Sequence, residues 1–240
     1  MAFVVLLLLF SRRAVGARSV ASVGLGLCSA AVGEAGSIEV RDLGPEEVSE
    51  AVGVLARGMR DNPLHVAAYG GDPERRLRCH ARLMGGLFRA FPAQERICAA
   101  RDGSLVGVTG VAAVGTCQPS ATQRLRLLPS VVALGPSTAA RVGSWISTWA
   151  KRDPDEAHVH LGPLAVDAHL QGQGIGSLIM QEHCRRLDRA REVGYLETDK
   201  PENVRFYERF GFEPVGQEPV IGVPNWFMRR EPRGPLSAGS

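Results

Sequence analysis

Lysine is almost absent from this chain: Lys151 and Lys200 stand against 26 arginines, a skew of the kind that GC-rich codon usage produces. It speaks of a GC-rich bacterial source rather than of mechanism. The basic residues form no run, and the net charge is only +3 over 240 residues, which excludes nucleic acid as a natural partner. Cysteines are few and odd in number. Cys28, Cys79, Cys98, Cys117 and Cys184 lack any CxxC spacing, which argues against a disulfide framework and against a zinc site. A reducing compartment, the cytoplasm, and no bound metal are therefore expected. A long apolar run is missing too. The stretch from Ala2 to Phe10 is too short to span a bilayer, so no membrane partner is expected.

The first residues also lack acidic side chains, the earliest being Glu34. A secretory signal would carry positive charge ahead of its apolar run, whereas Arg12 and Arg13 follow it. A transit peptide, or a start assigned too early, fits better. Residues 1–36 are set aside as a leader or extension, residues 37–232 are taken as one domain, and residues 233–240 as a flexible tail.

What remains is ordinary globular composition, 45% apolar and 22% charged, arranged as alternating strand and helix signals. "SIEVRDLGPEEVSEAVGVLARGM" reads as a strand, a Pro-containing turn and a helix with Val48, Val52, Leu55 and Met59 on one face. A loop through "DNPLHVAAY" leads to a second helix opened by Asp72-Pro73, with Leu77, Leu83 and Leu87 among its apolar positions. In "RICAARDGSLVGVTGVAAV", Asp102-Gly103 between two β-type runs signals a hairpin. From about Gln118 to Arg152, an Ala-, Leu-, Ser- and Arg-rich segment with spaced prolines predicts short helices outside the sheet.

Chemistry gathers further on. "AHVHLGPLAV" reads as a buried strand, and "GSLIMQEHCRRLDRAREVG" as a helix with Leu178, Ile179, Leu187, Ala190 and Val193 near helical spacing and a glycine at its C-terminal end. Between them, "DAHLQGQGIGSLIM" puts Gly172, Gly174 and Gly176 at a strand-to-helix turn. A helix N-terminus offers unpaired N–H groups and a positive dipole end, and residues without Cβ let a phosphate approach the backbone. A tight turn needing glycine only for its angles is the plainer alternative. No lysine follows Gly176, as the GxxxxGK[ST] loop requires, and the glycine spacing differs from the dinucleotide GxGxxG.

The spacing resembles the Q/RxxGxG/A motif of the GNAT superfamily of N-acetyltransferases. Downstream, "GYLETDK" followed by "PENVRFYERFGF" is similar to that superfamily's closing signature, and with the terminal "NWFMRRE" the likeness is greatest to puromycin-type N-acetyltransferases. The resemblance covers roughly Leu161 to Arg230 and is weaker over residues 38–115. It implies an α/β (α+β) fold, a mixed central β-sheet with splayed fourth and fifth strands flanked by helices. It also implies acetyl-coenzyme A as co-substrate. Gln171, Gly174 and Gly176, with Gly172, Gln173, Ile175 and Ser177 in the same loop, would hold its pyrophosphate. Leu164, Ala165 and Val166 would run beside the pantetheine arm, and Asn203 would contact it or cap a helix beginning at Val204.

Further roles follow from the same resemblance. The amine attacks the thioester directly, so no nucleophilic Ser or Cys is needed. Tyr207 is the implied general acid toward the departing thiolate. His160, sharing a strand face with His158, is the first implied base and Glu197 the second; a structural role is the plainer reading of either. Asp61, Asn62 and His65 would fall in a solvated turn forming the acceptor wall. The partner implied is a small-molecule amine, and self-association into a homodimer is left open. The alternative function is a degenerate module that binds coenzyme A or an acyl-coenzyme A without turnover. A dinucleotide-dependent oxidoreductase is opposed by the glycine spacing and by the lack of a second βαβ half.

Overall fold

Short alternating runs of apolar residues build the centre of the protein, a seven-stranded sheet. The computed structural model describes residues 37–92 and 94–234; the leader assigned to 1–36 and residues 235–240 of the expected tail lie outside the described residues. The strands are β1 (Ile38–Asp42), β2 (Glu95–Arg101), β3 (Ser104–Ala112), β4 (His158–Val166), β5 (Val193–Thr198), β6 (Glu213–Val220) and β7 (Val223–Arg230). Their order is β1-β2-β3-β4-β5-β7-β6. Only the β4–β5 pair is parallel, and its crossover carries a helix. The mixed sheet flanked by helices is the expected fold class.

Among the described residues seven α-helices flank the sheet: α1 (Val48–Met59), α2 (Pro63–Tyr69), α3 (Pro73–Ala90), α4 (Ala121–Val132), α5 (Pro136–Ala150), α6 (Ile175–Ala190) and α7 (Pro201–Glu208). Local chemistry sets their starts. The Asp72 carboxylate accepts the Glu74 N–H ahead of α3, and Ser120 and Gln123 form a reciprocal capping box ahead of α4. Asp102 and Gly103 both take positive φ, 52° and 77°, which closes the β2–β3 hairpin as predicted. Helices α1 to α5 lie over one face, where Val54, Leu55, Tyr69 and Leu83 pack with Cys98, Val108 and Ala165. Helices α6 and α7 lie over the other, where Ile175, Ile179, Leu187 and Phe212 pack with Ile97, Val159 and Leu196. The segment 118–152 forms two helices of 12 and 15 residues, longer than the short pieces expected; α4 packs against α3, and α5 against α2 and β6.

Two local expectations need correction. "PLHVAAY" is a helix, not a loop: Pro63 supplies the first-turn φ, and Leu64, Ala68 and Tyr69 are buried against the core. Helix α6 ends at Arg191 in a left-handed conformation (φ 57°), so Gly194 belongs to β5 with Val193, and Ala190 is exposed. Gly194 is small for another reason, since a Cβ there would stand 2.7 Å from Leu187 Cδ1. Strand β6 carried no apolar signal because it is the sheet edge, where Pro214 and Pro219 are tolerated.

The feature that positions the site is a bulge in β4. Thr109 pairs with Leu164 and Val111 with Leu161, so Gly162 and Pro163 stand opposite the single residue Gly110. Such an extra residue bends a strand and raises its twist. β4 pairs with β5 only over His158 to His160, facing Val193 to Tyr195, and the two strands continue apart beyond that point.

Candidate active site

Divergence leaves backbone groups without a strand partner. The Asp167 N–H donates to Val106 O at 2.9 Å, so Asp167 and Ala165 face β3, and by strand alternation Leu164 and Val166 turn their N–H and C=O toward the gap. Arg57 holds this end of β4 to α1 through Nε and Nη2, 2.9 and 2.6 Å from Asp167 Oδ2. Burial would raise the Asp167 carboxyl pKa, but the Arg57 guanidinium outweighs it and the net direction is down.

The glycine loop lies at the N-terminus of α6. Gly172 and Gly174 adopt φ of 80° and 83° with open space where a Cβ would be, and Gly174 is the cap residue. Ser177 donates its N–H back to Gly174 O at 2.9 Å. Among the described residues the N–H groups of Ile175 and Gly176 donate to no backbone carbonyl, as expected for the first turn of a helix. The loop can therefore present N–H donors and a positive dipole end to an anion. Arg101, delivered by the β2–β3 hairpin, reaches Gln173 Oε1 at 3.3 Å with both terminal nitrogens and adds positive charge that the sequence pattern did not single out. Gln171 is turned elsewhere: its amide nitrogen donates to Gly58 O at 3.0 Å and Val166 O at 3.2 Å, bracing α1 against β4.

Tyr207 and Glu197 stand on opposite faces of the sheet. Tyr207, 8% exposed, packs on the α6–α7 side against Phe206 and Phe212. Its hydroxyl makes no hydrogen bond to the described residues. Burial, and then the Asp199 carboxylate, push the phenol well above its ordinary pKa, so it carries its proton at any physiological pH. Leu196 lies in that same cluster, so alternation sends its neighbour Glu197 to the other face, beside His160. Asn203 sits inside the first turn of α7, which starts at Pro201 after Lys200, so the expected cap of a helix starting at Val204 is corrected; its amide donates to Thr198 Oγ1 at 3.2 Å.

His160 is held tightly. Its Nε2 is 2.8 Å from Glu197 Oε2, a carboxylate whose Oε1 is buried without a partner, and its Nδ1 is 3.6 Å from Asp153 Oδ1. Burial alone would lower the imidazole pKa; Glu197, Asp153 and Cys117 outweigh it and hold it well above the ordinary value. The Cys117 thiol is pulled down by His158 and His160 against the opposing effect of burial, and Asp153 is pulled down by His160 in the same way. Cys117 and Asp153 were not singled out from the sequence. They come from segments far apart in the chain, which no spacing rule detects.

Of the three residues expected in a solvated turn, Asp61 lies in an exposed turn as expected, whereas Asn62 and His65 are buried. Asn62 is 8% and His65 2% exposed, and His65 stacks edge-on with His80 and Trp145 at centroid distances of 4.3 and 5.3 Å. Burial, then the neighbouring His80 and Lys200, keep the His65 pKa well below its ordinary value. Asp61 is spent on Arg60 and Arg76, at 2.7 and 2.6 Å, which hold its carboxyl at about 2.

Residues 139–214 match the family described as acetyltransferase (GNAT) domain. Among solved structures, a histone acetyltransferase HPA2 and related acetyltransferase from Corynebacterium glutamicum superposes with a TM-score of 0.64 at 20% identity, over 83% of this chain and 99% of that one. The polyamine N-acetyltransferase of Drosophila melanogaster, which catalyses the formation of N-acetylagmatine, superposes with a TM-score of 0.54 at 12% identity, over 81% and 100%. An N-acetyltransferase from Staphylococcus aureus gives 0.50 at 13% identity, over 81% and 98%. At such identities the superpositions establish the fold. Together with the family match over residues 139–214, they make the chain similar to acetyltransferases of the GNAT superfamily. No helix of the described residues is long and apolar enough to cross a membrane.

Proposed function

We propose that the protein transfers the acetyl group of acetyl-coenzyme A to the primary amine of a small molecule by direct attack on the thioester. The observation that carries this reading is the divergence of β4 from β5. It opens a gap edged by the backbone of Leu164 and Val166, with the α6–α7 layer that holds Tyr207 on one face of the sheet and Glu197 on the other. The pantetheine arm would pair with Leu164 and Val166 as an added strand. The pyrophosphate would sit on the N–H groups of Ile175 and Gly176, with Arg101 beside it. As the amine nitrogen bonds to the acetyl carbon, the carbon–sulfur bond breaks, and Tyr207 gives its proton to the leaving thiolate. The amine must also lose a proton. Both ring nitrogens of His160 already face carboxylates, which leaves Glu197 Oε1, buried and unpartnered, to take it.

The sequence likeness to puromycin-type enzymes makes aminonucleosides the first acceptors to try. Agmatine and polyamines come next, because the Drosophila protein of the same fold acts on agmatine. The test follows thiol release from acetyl-coenzyme A over a panel of such amines. Release that depends on one class of amine, and is lost in Glu197→Gln, supports the proposal. Tight acetyl-coenzyme A binding without thiol release for any amine would make the protein a coenzyme-binding module instead.

A further inference from the structure

Outside the cleft, on the α1–α5 side of β4, four ligand-type side chains converge: Cys117, Asp153, His158 and His160, each with one ligand atom, all within 4.8 Å of one another. We propose that these four residues bind a structural Zn²⁺ ion. Tetrahedral zinc with metal–ligand bonds of about 2.0–2.3 Å needs ligand atoms about 3.3–3.8 Å apart, so a small inward shift of the two loop residues closes the sphere. A thiolate, two imidazoles and a carboxylate form a donor set suited to zinc, and with no position left for water the site is of the closed, structural kind.

The decisive observation is the state of the two histidines. His158 is 5% exposed, and its Nδ1 lies 2.9 Å from Glu156 O, a carbonyl that can only accept. The proton is thereby fixed on Nδ1. His158 Nε2 is left buried with no partner, aimed into the cluster. His160 repeats the pattern with the nitrogens exchanged: Nε2–H serves Glu197 Oε2 at 2.8 Å, and Nδ1 is buried without a hydrogen-bond partner. A metal ion displaces any proton from the inner ring nitrogen, and an outer N–H held by a carbonyl or carboxylate with the inner nitrogen aimed at other ligands is the arrangement that orients metal-bound histidines. Two such imidazoles from one strand face the same point.

The site also has a structural task. Cys117 lies between the end of β3 and α4, and Asp153 lies between α5 and β4, so an ion there fastens both ends of the α4–α5 insertion to the sheet. Gln118 already bonds to Asp153 across this junction. The fastening point is the last paired segment of β4 and β5, directly before they diverge.

The test uses the full-length protein freed of any affinity tag. Elemental analysis is expected to find about one zinc per chain. After chelation, Co²⁺ should give the visible bands of a tetrahedral ion together with a thiolate-to-cobalt charge-transfer band, both displaced by Zn²⁺. Cys117→Ser should abolish the charge-transfer band, and His158→Ala should weaken zinc at least tenfold. Should either variant fail to fold, alkylation of the wild type decides: zinc must shield Cys117 from a thiol reagent, as read by mass spectrometry of its peptide. Octahedral cobalt spectra, or Cys117 labelled equally fast with and without zinc, would show the four side chains to be only an ion-paired network and overturn the proposal.

Discussion

Placing an aspartate at Gly174 perturbs the cofactor loop in two separable ways. Gly174 has φ 83° and ψ −5°, and nothing lies within 4 Å of where its Cβ would stand. Any side chain therefore meets backbone strain but no clash in the ligand-free protein. The left-handed conformation costs an L-residue about 1–2 kcal/mol, which for a domain of this size lowers Tm by roughly 2–8 °C. Binding changes for another reason. The open space at Gly174 adjoins the first turn of α6, the proposed seat of the pyrophosphate, and a carboxylate there repels it. At least a tenfold loss of acetyl-coenzyme A affinity is expected, about 1.4 kcal/mol.

A control separates the two effects. Gly103 has φ 77° and equally open space, and lies in the β2–β3 turn. Gly103→Ala should show a comparable fall in Tm with unchanged affinity. Differential scanning calorimetry reads the first quantity and isothermal titration with acetyl-coenzyme A the second. A folded Gly174→Asp protein that binds with wild-type affinity would refute the placement of the pyrophosphate at this helix end.

Tyr207→Phe removes a hydroxyl that bonds to none of the described residues, so Tm and acetyl-coenzyme A affinity should stay close to wild type while kcat falls about 10²-fold or more; an unchanged kcat would take Tyr207 out of the mechanism. Asp188→Ala strips the partner at 2.7 and 2.9 Å from Arg230, which is 2% exposed, and should cost about 3 kcal/mol in urea unfolding; a loss under about 1 kcal/mol would mean that the Phe210 carbonyl satisfies this arginine by itself. Acid should destabilise the fold through its buried neutral histidines. Burial lowers His80 to about 3, and burial with the Arg230 and Arg186 charges lowers His183 to about 4. The unfolded chain thus takes up protons first as pH drops below about 6.5, and stability is lost from there down toward the folded values, by about 1 kcal/mol for each of the two between pH 7 and 5.5. His160, held above its ordinary value, acts in the opposite sense, so the loss is read as the difference in pH dependence between wild type and His183→Gln; no difference over that range would show the His183 imidazole protonating within the fold.

The elements read correctly from the sequence are those whose signal is local. Asp102-Gly103 demands a tight hairpin because its backbone angles suit few other residues, and Asp72-Pro73 opens a helix by capping chemistry. The glycines before Ile175 mark a helix N-terminus that can receive an anion. The misread elements depend on what packs beside them. "PLHVAAY" is too short to be helical alone and becomes so because Leu64 and Tyr69 have a core to enter. Gly194 looked like a helix stop, yet its smallness answers Leu187 and Phe212 across the layer. Asn203 looked like a cap, but the helix starts earlier at Pro201, which frees its amide for Thr198.

The site divides along the same line. The glycines Gly172, Gly174 and Gly176 were legible from their place at a strand-to-helix turn, and the resemblance to the GNAT superfamily added Tyr207, His160 and Glu197 as candidates, because all lie on consecutive elements of one strand–helix–strand–helix stretch. The chain alone could not show that Gln171 would turn to Gly58 and Val166, or that Arg101 would reach Gln173 across the hairpin. Nor could it show that Cys117 and Asp153 would meet His158 and His160. Zinc was argued against on spacing within a short motif, whereas ligands drawn from two loops and a strand obey no spacing. Backbone angles and caps act over a few residues, so they are written in the chain wherever they fix a strand or a helix; which distant side chains come to share a buried cluster depends on where the α4–α5 insertion folds back onto β4.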